Sequence, residues 1–280
     1  MTIRVCFLFL CSLSALLGAA EPVVTANSAL LFDANTGRVL FKKNENERRP
    51  VASTQKLLTS LLIAENGNLS QPVIITKSDT LAEPTKLYLK PGDSYTRQEL
   101  LTALLIKSPN DVARALARDN AGDVSSFAEK MNLRMSQLGG NSSNFVNPNG
   151  LPAVNQYSTA RDMARVARAA YFNPLLRDIM RTKYFTFRYA SGKTAAIKNT
   201  NRVLRSYSFC NGMKTGYTDA AGHCLVSSGS YLGKDVIAVV FGEKKSRIWN
   251  ESAALLAYGL GLDDMQMASF RVAPPKAGEE

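Results

Sequence analysis

Three short clusters in this chain carry side chains that could act together on an acyl group. The first is Ser53-Thr54-Gln55-Lys56, the only S-x-x-K in the sequence. Residues three apart share one face of a helix, so a lysine amine placed this way reaches the serine hydroxyl. A serine hydroxyl is a poor nucleophile until a neighbouring base takes its proton, and a helix N-terminus favours the negative charge that develops. Alone, the spacing is weak, because a solvated helix face yields it too. The second cluster is Ser108-Pro109-Asn110, followed by Asp111. A hydroxyl there can relay a proton and an amide can hold a substrate carbonyl. The same spelling recurs at Ser142-Ser143-Asn144, and Ser108 or Asp111 could equally cap a helix. The third is Lys214-Thr215-Gly216. A lysine and a hydroxyl there suit a carboxylate, and the glycine lets a substrate backbone lie close.

The elements that must position these residues can be read from hydrophobic period and turn chemistry. Ser28 to Asp33 and Arg38 to Phe41 read as strands joined by Asn35-Thr36-Gly37, a hairpin. A helix is expected from about Ser53 to Ala64. From Arg97 to Tyr171 the chain is mostly helical in pattern, with Gly, Pro and Asn between the runs. From Lys183 strands return as KYFTFRYA, YSFCNGMKTG, HCLVSSGSYL and DVIAVVFG, and a last helix covers about Arg247 to Leu260. Strands, helices, strands, helix is an α+β order. It predicts that N- and C-terminal strands share a mainly antiparallel sheet covered by helices, with the helical middle as an inserted lobe and a cleft between. The three clusters then fall on a helix, an inter-helix loop and a strand, in that order.

S-x-x-K, S-D-N and K-T-G in this order form the signature of penicillin-binding proteins and class A β-lactamases, and here Ser108-Pro109-Asn110 stands in the second place. Three longer strings narrow the match: Phe145-Val146-Asn147-Pro148-Asn149-Gly150-Leu151, Tyr157-Ser158-Thr159-Ala160-Arg161-Asp162, and Lys214-Thr215-Gly216-Tyr217-Thr218 followed by Ala221-Gly222. From about Ser28 to Leu262 the chain resembles the low-molecular-mass penicillin-binding proteins, the serine D-alanyl-D-alanine carboxypeptidases. The resemblance implies the β-lactamase/DD-peptidase-like fold, with Ser53 as nucleophile, Lys56 as base or proton relay, and Ser108 and Asn110 in proton transfer and substrate holding. Lys214 and Thr215 would bind the terminal carboxylate. Gly216 would admit the substrate backbone, and the N–H groups of Ser53 and Tyr217 would form the oxyanion hole. Gln55 departs from the family's usual threonine, and Pro109 from its usual small residue.

Other signals point away from rival chemistries. His223 is the only histidine, so a Ser-His-Asp triad would have to use it. One His and two mature Cys make a poor metal site, and no metal or cofactor is expected. Ser191-Gly192-Lys193-Thr194 mimics part of a phosphate loop, but Phe187 stands where the first glycine belongs. Arg202 and Arg247 are spare cations that suit a carboxylate or a solvated face. Cys210 and Cys224 could form a disulfide or remain two buried thiols.

Arg4, the apolar run Val5 to Leu17 and the small residues Gly18-Ala19-Ala20 read as a cleavable signal over residues 1–20. The run is shorter than the about 20 residues that span a bilayer, so no stable membrane anchor is expected. Removing it takes only Arg4 from the charged set, leaving 33 basic and 23 acidic residues, a net charge of +10. The mature protein would be the catalytic domain over 21–262 with a flexible tail over 263–280, acting in the periplasm or cell envelope. A basic exported protein is drawn to acidic envelope polymers. No basic helix or RNA-binding signature supports nucleic acid as a partner. Expected partners are peptidoglycan pentapeptide or cross-linked stems, with β-lactams as inhibitors. Carboxypeptidase action is the first reading and D,D-endopeptidase action its rival. The family's usual C-terminal β domain cannot fit in the 18 residues after Leu262, which favours the rival somewhat. A β-lactamase would need an E-x-x-L-N segment, and none occurs. A β-lactam sensor would hold its acyl group indefinitely.

Overall fold

The computed structural model describes residues 21–273. The leader expected over 1–20 and the last part of the expected tail lie outside the described residues. In chain order the elements are β1 (Ser28–Asp33), β2 (Val39–Lys43), α1 (Lys56–Glu65), β3 (Pro72–Ile74), α2 (Lys77–Thr80), β4 (Ser94–Thr96) and α3 (Arg97–Lys107). Then come α4 (Asn110–Ala121), α5 (Val124–Gln137), α6 (Ala160–Phe172), α7 (Pro174–Met180), β5 (Tyr184–Arg188), β6 (Thr194–Lys198) and α8 (Arg202–Ser206). The chain closes with β7 (Cys210–Thr218), β8 (Gly222–Tyr231), β9 (Lys234–Glu243), α9 (Ile248–Leu260) and α10 (Asp264–Ser269).

Five strands form one antiparallel sheet in the order β2-β1-β9-β8-β7. The N-terminal hairpin therefore joins the C-terminal strands directly, with Leu31 opposite Ala238, and the helical middle is inserted between them. Strand β9 shows why the sheet is covered on both faces. Its alternate residues Ile237, Val239 and Phe241 enter the lobe-side core, and Val236, Ala238 and Val240 enter a second core against α9. A strand buried on both sides reads as a continuous apolar run, as VIAVVF does.

Helix α1 is the centre of the lobe. Lys56, Leu57, Leu58, Thr59, Ser60, Leu61 and Ile63 are all buried, so the helix is enclosed all round and its lysine is carried into the interior with it. Among the described residues, no helix is long and apolar enough to cross a membrane.

The structure departs from the sequence reading in two places and decides a third point that the sequence left open. Asp264–Ser269 of the expected loose tail is helix α10, and Phe270 beyond it packs edge-on against Phe209 and Tyr231. The hairpin β5–β6 has a second strand, Thr194–Lys198, where only one strand was expected. Cys210 and Cys224 are free and buried. Cys210 lies opposite Gly229, while Cys224 lies on that same strand β8, five positions from Gly229. At about 3.3 Å per residue this is roughly 16 Å, far beyond the reach of a disulfide. Burial instead pushes both thiols up to about 12.

Candidate active site

The turn that carries Ser53 is set by its neighbours. Ala52–Gln55 is a single 3-10 turn leading into α1, and Ala52 adopts φ +48°. A non-glycine residue in that region costs about 1–3 kcal/mol and persists only where its surroundings impose it. The surroundings are two glycines. A Cβ on Gly150 would lie 2.1 Å from the Ala52 carbonyl oxygen, and one on Gly216 would lie 2.8 Å from the Ser53 nitrogen. Segment 147–150 and strand β7 thus close on the turn from two sides, at distances only glycine permits.

Three side chains tie segment 147–149 to α1. Gln55 Nε2 donates to the Asn147 carbonyl at 2.5 Å, Thr59 Oγ1 to that of Pro148 at 2.7 Å, and Lys56 Nζ to that of Asn149 at 2.7 Å. Gln55 therefore serves as a tether. Lys56 Nζ also lies 2.7 Å from Ser53 Oγ and 2.7 Å from Asn110 Oδ1, and Ser53 Oγ lies 3.2 Å from the Asn149 carbonyl. Complete burial and the nearby Lys214 charge push the Lys56 pKa well below the usual lysine value, against the opposing pull of the Asp111 charge. A lysine held this way is fit to accept a proton from Ser53.

Ser108 ends α3 in the left-handed conformation, φ +68°. Its buried hydroxyl has no hydrogen-bond partner among the described residues. Pro109 follows at φ −69°, the value its ring imposes, and α4 starts at Asn110. Asn110 spends both halves of its amide on the protein: Oδ1 accepts from Lys56, and Nδ2 donates to the carbonyls of Glu83 and Pro84 at 2.9 and 3.2 Å. Asp111, read as an alternative cap, is fully buried. Its carboxylate accepts from the backbone N–H groups of Leu87, Leu89 and Val112 at 3.0–3.3 Å. Asn110 and Asp111 together hold the 83–89 loop, whose Pro84 and Thr85 form a wall of the cleft.

Strand β7 is the sheet edge, so its backbone groups on the side away from β8 face the nucleophile turn. Lys214 is completely buried, which pushes its pKa down to about 7, and its Nζ donates to the Thr215 carbonyl at 2.9 Å. Thr215 Oγ1 lies 2.7 Å from Thr200 Oγ1. Tyr217 is exposed and stacks on His223, with ring centroids 4.4 Å apart. A cavity of about 430 Å³ brings Ser53, Ser108, Asn110, Thr215, Gly216 and Tyr217 together, with Lys56 buried against Ser53 at its floor. His223 and Arg202 lie on the same cavity. Ser53 takes Lys56 as its partner, and His223 takes Tyr217. Arg247 instead reaches Thr25 at 3.2 Å. Ser191–Thr194 runs through the β5–β6 turn into β6, so a strand and not a helix comes directly after it. Ser143 bonds to Asp162 at 2.8 Å.

Sequence reasoning missed the Asn149 carbonyl, the Thr200 hydroxyl, Trp249 on the cavity wall and the anchoring role of Asp111. Asn149 lies in a string that the resemblance had already singled out, but a carbonyl has no residue-type signal.

Residues 16–245 match the family model described as D-alanyl-D-alanine carboxypeptidase. The chain is 36% identical over 222 residues to the D-alanyl-D-alanine carboxypeptidase DacF of Bacillus subtilis, covering 78% of this chain and 57% of that protein. It therefore spans less than two thirds of that relative's length. It is 30% identical over 253 residues to a D-alanyl-D-alanine endopeptidase of Escherichia coli, covering 85% of this chain and 81% of the relative. The crystal structure of a D-alanyl-D-alanine carboxypeptidase from Mycobacterium tuberculosis superposes with a TM-score of 0.82 at 32% identity, covering 87% of this chain and 94% of that one.

Proposed function

Because the chain belongs to the D-alanyl-D-alanine carboxypeptidase family, we propose that it is a serine peptidase that cleaves D-alanyl-D-alanine bonds of peptidoglycan stems through an acyl-enzyme on Ser53. The observation that carries this reading is the 2.7 Å contact between Lys56 Nζ and Ser53 Oγ at the floor of the cleft. Ser53 Oγ attacks the penultimate D-alanyl carbonyl while Lys56 takes its proton. Negative charge on the carbonyl oxygen is met by the N–H groups of Ser53 and Tyr217, a donor pair worth about 3–4 kcal/mol per donor in comparable sites. The C–N bond then breaks, and the leaving amine receives a proton relayed through Lys56 and Ser108. Water hydrolyses the ester with Lys56 again as base.

Lys214 and Thr215 receive the terminal carboxylate, with Gly216 clearing room for the substrate backbone. Asn110 holds Lys56 in position and would turn its amide toward a substrate carbonyl. β-Lactams, as strained mimics of the same amide, acylate Ser53. The protein acts after export, in the periplasm or cell envelope. A second reading, cleavage of D-alanyl cross-links, is favoured by the similarity to the Escherichia coli endopeptidase.

The experiment is mass spectrometry of defined stem peptides before and after incubation with the protein. Loss of one D-alanine from a pentapeptide, absent with Ser53→Ala, supports the proposal. Unchanged pentapeptide and unchanged cross-linked dimer would overturn it.

A further inference from the structure

One end of the cleft holds side chains that the chemistry above leaves without a task. Lys107, Thr200 and Arg202 line the same cavity as Ser53 and Thr215. Lys107 is the last residue of α3, Thr200 stands between β6 and α8, and Arg202 is the first residue of α8. Backbone contacts bring these elements together. The Thr200 N–H donates to the Ile106 carbonyl at 3.2 Å, which sets Thr200 beside the last turn of α3. Its neighbours Asn199 and Asn201 are buried and bonded through their amides. Asn199 Nδ2 donates to the Thr182 carbonyl at 3.0 Å, and Asn201 Nδ2 to that of Gly212 on β7 at 2.9 Å. Thr200 is thus clamped between α3 and β7, with its Oγ1 2.7 Å from that of Thr215.

The two hydroxyls alone offer a carboxylate too few hydrogens. A carboxylate accepts at both oxygens, up to about four hydrogen bonds. The threonine pair carries one proton on each oxygen, and the bond between them uses one of the two. Lys214 adds charge from beneath but does not line the cavity: it is completely buried, with its Nζ on the Thr215 carbonyl. Titrating near 7, it is also only partly charged at neutral pH. Among the described residues, Lys107 and Arg202 are the lysine and arginine that line the cavity, and no Asp or Glu lines it. Arg202 lies over the Trp249 ring, 5.4 Å from its centroid. Stacking occupies the face of a guanidinium and leaves the N–H groups at its edge to bond in the plane.

We propose that Lys107 and Arg202, flanking the Thr200–Thr215 hydroxyl pair, are specificity-determining residues that select a leaving residue with a free carboxylate beside its amine. The inference rests on the D-alanyl peptidase reading of Ser53 and narrows its substrate class. One carboxylate oxygen takes the hydroxyl proton left by the threonine pair, and the other meets the two cations. A leaving residue whose carboxyl group is an amide keeps the shape and brings no anion to this end of the cleft. It also presents an N–H₂ group, which neither an ammonium nor a guanidinium can accept from. Stems amidated at that position are therefore the disfavoured substrates, and stems with the free acid the favoured ones.

The test measures kcat/KM of the full chain on one peptide ending in D-alanyl-D-alanine and on its C-terminal amide. Each solvent-accessible ion pair is worth about a factor of two to five, so the acid-to-amide ratio should fall roughly tenfold in a Lys107→Gln, Arg202→Gln variant. The change should sit in KM, and added salt should lower the wild-type ratio more than the variant's. Lys107→Arg with Arg202→Lys conserves the charges and should keep most of the wild-type ratio. Lys193→Gln with Lys234→Gln removes the same charge at positions that do not line the cavity, and it should leave the ratio in place. A ratio unmoved by the first pair, or moved equally by the remote pair, overturns the proposal. Binding of both peptides to Ser53→Ala forms of these proteins reads the same ratio without turnover. An acid preference lost there with Lys107 and Arg202 supports the receptor even if no peptide is cleaved. Absent penicillin labelling of Ser53 in the otherwise unaltered chain fails the peptidase reading alone.

Discussion

Lys56 Nζ and Ser53 Oγ lie 2.7 Å apart, and the carbonyl oxygen of Asn149 accepts from both. The proposed nucleophile and its proposed base therefore share one backbone acceptor on a loop that Gln55 and Thr59 also tie down. Replacing Lys56 with Arg keeps the charge but removes the ability to accept a proton, since a guanidinium stays protonated. Acylation of Ser53 by labelled penicillin should fall by about a thousandfold, the middle of the range for acid–base groups. Ser53→Ala should take no label. Retention of most labelling in Lys56→Arg would mean that Lys56 supplies only a positive field.

Lys214 offers a different kind of separation, between binding and chemistry. Lys214→Gln keeps hydrogen-bonding reach and removes charge. It should hurt a peptide ending in free D-alanine more than the same peptide as its C-terminal amide. A hydrogen bond to a charged group is worth about 1.5–3 kcal/mol, so the discrimination should shrink by one to two powers of ten in kcat/KM. Equal losses on acid and amide would assign Lys214 to the chemical step.

Why these lysines could be found in the sequence, and other parts of the site could not, is a matter of what residue type encodes. Ser53, Lys56, Ser108 and Lys214 were singled out by side-chain type within short motifs, and the structure brings Ser53 and Ser108 to one cleft, with Lys56 against Ser53 and Lys214 buried on the strand beside it. The shared sheet was legible too, because VIAVVF and SALLFD are strand-like at any register. The Asn149 carbonyl acts through an atom that every residue owns. Strand β6 is TAAIK, whose alanines carry little β preference. Helix α10 and the 270–273 segment are held by Phe270 against Phe209 and Tyr231, partners some forty to sixty residues away that no local pattern exposes.

Both buried lysines make stability depend on pH, with a definite sign. Lys214 titrates near 7 in the folded protein, and Lys56 is also depressed, whereas unfolded lysines titrate near 10.5. Between about 7 and 10.5 the unfolded chain thus binds more protons than the native one, so stability rises with pH. The Lys214 contribution is complete above about 10.5 and is lost as pH falls to about 7. Each lysine contributes up to about 1.4 kcal/mol per pH unit across its window. Calorimetric melting of wild type and Lys214→Met from pH 6.5 to 9.5 should show a flatter profile for the variant. Parallel profiles would show that Lys214 is not depressed.

Asp111 acts on the site through the 83–89 loop and through its charge. Asp111→Asn exchanges an acceptor-only carboxylate for an amide with one acceptor, so at least one of the three backbone N–H groups loses its partner at a cost of about 1–3 kcal/mol. It also removes the one charge that holds the Lys56 pKa up. The acid limb of the acylation pH profile should therefore move to lower pH even though the protein melts earlier. A lowered melting temperature with an unmoved acid limb would leave Asp111 a purely structural anchor.

Gly216 tests whether the nucleophile's position depends on the edge strand. Its backbone is not in the left-handed region, so alanine is conformationally acceptable, and the difficulty is space alone. An added Cβ would meet the Ser53 nitrogen at 2.8 Å, with the Ala52 Cβ and the Thr54 nitrogen each at 3.0 Å. None of these is the yielding end of a long side chain, so β7 and the turn must separate. Overpacking of this kind costs about 1–3 kcal/mol, which leaves the protein folded but melting several degrees lower. The catalytic loss should be larger in proportion, because misplacing reacting groups by about 1 Å can cost a hundredfold. Gly192→Ala is the control. It sits at φ +84° on the β5–β6 turn with nothing within 4 Å of an added Cβ, so it too carries a stability cost without touching the cleft. Second-order acylation rates should therefore drop about a hundredfold in Gly216→Ala and hold at the wild-type value in Gly192→Ala. Wild-type acylation in Gly216→Ala would show that the turn keeps Ser53 in place without help from β7.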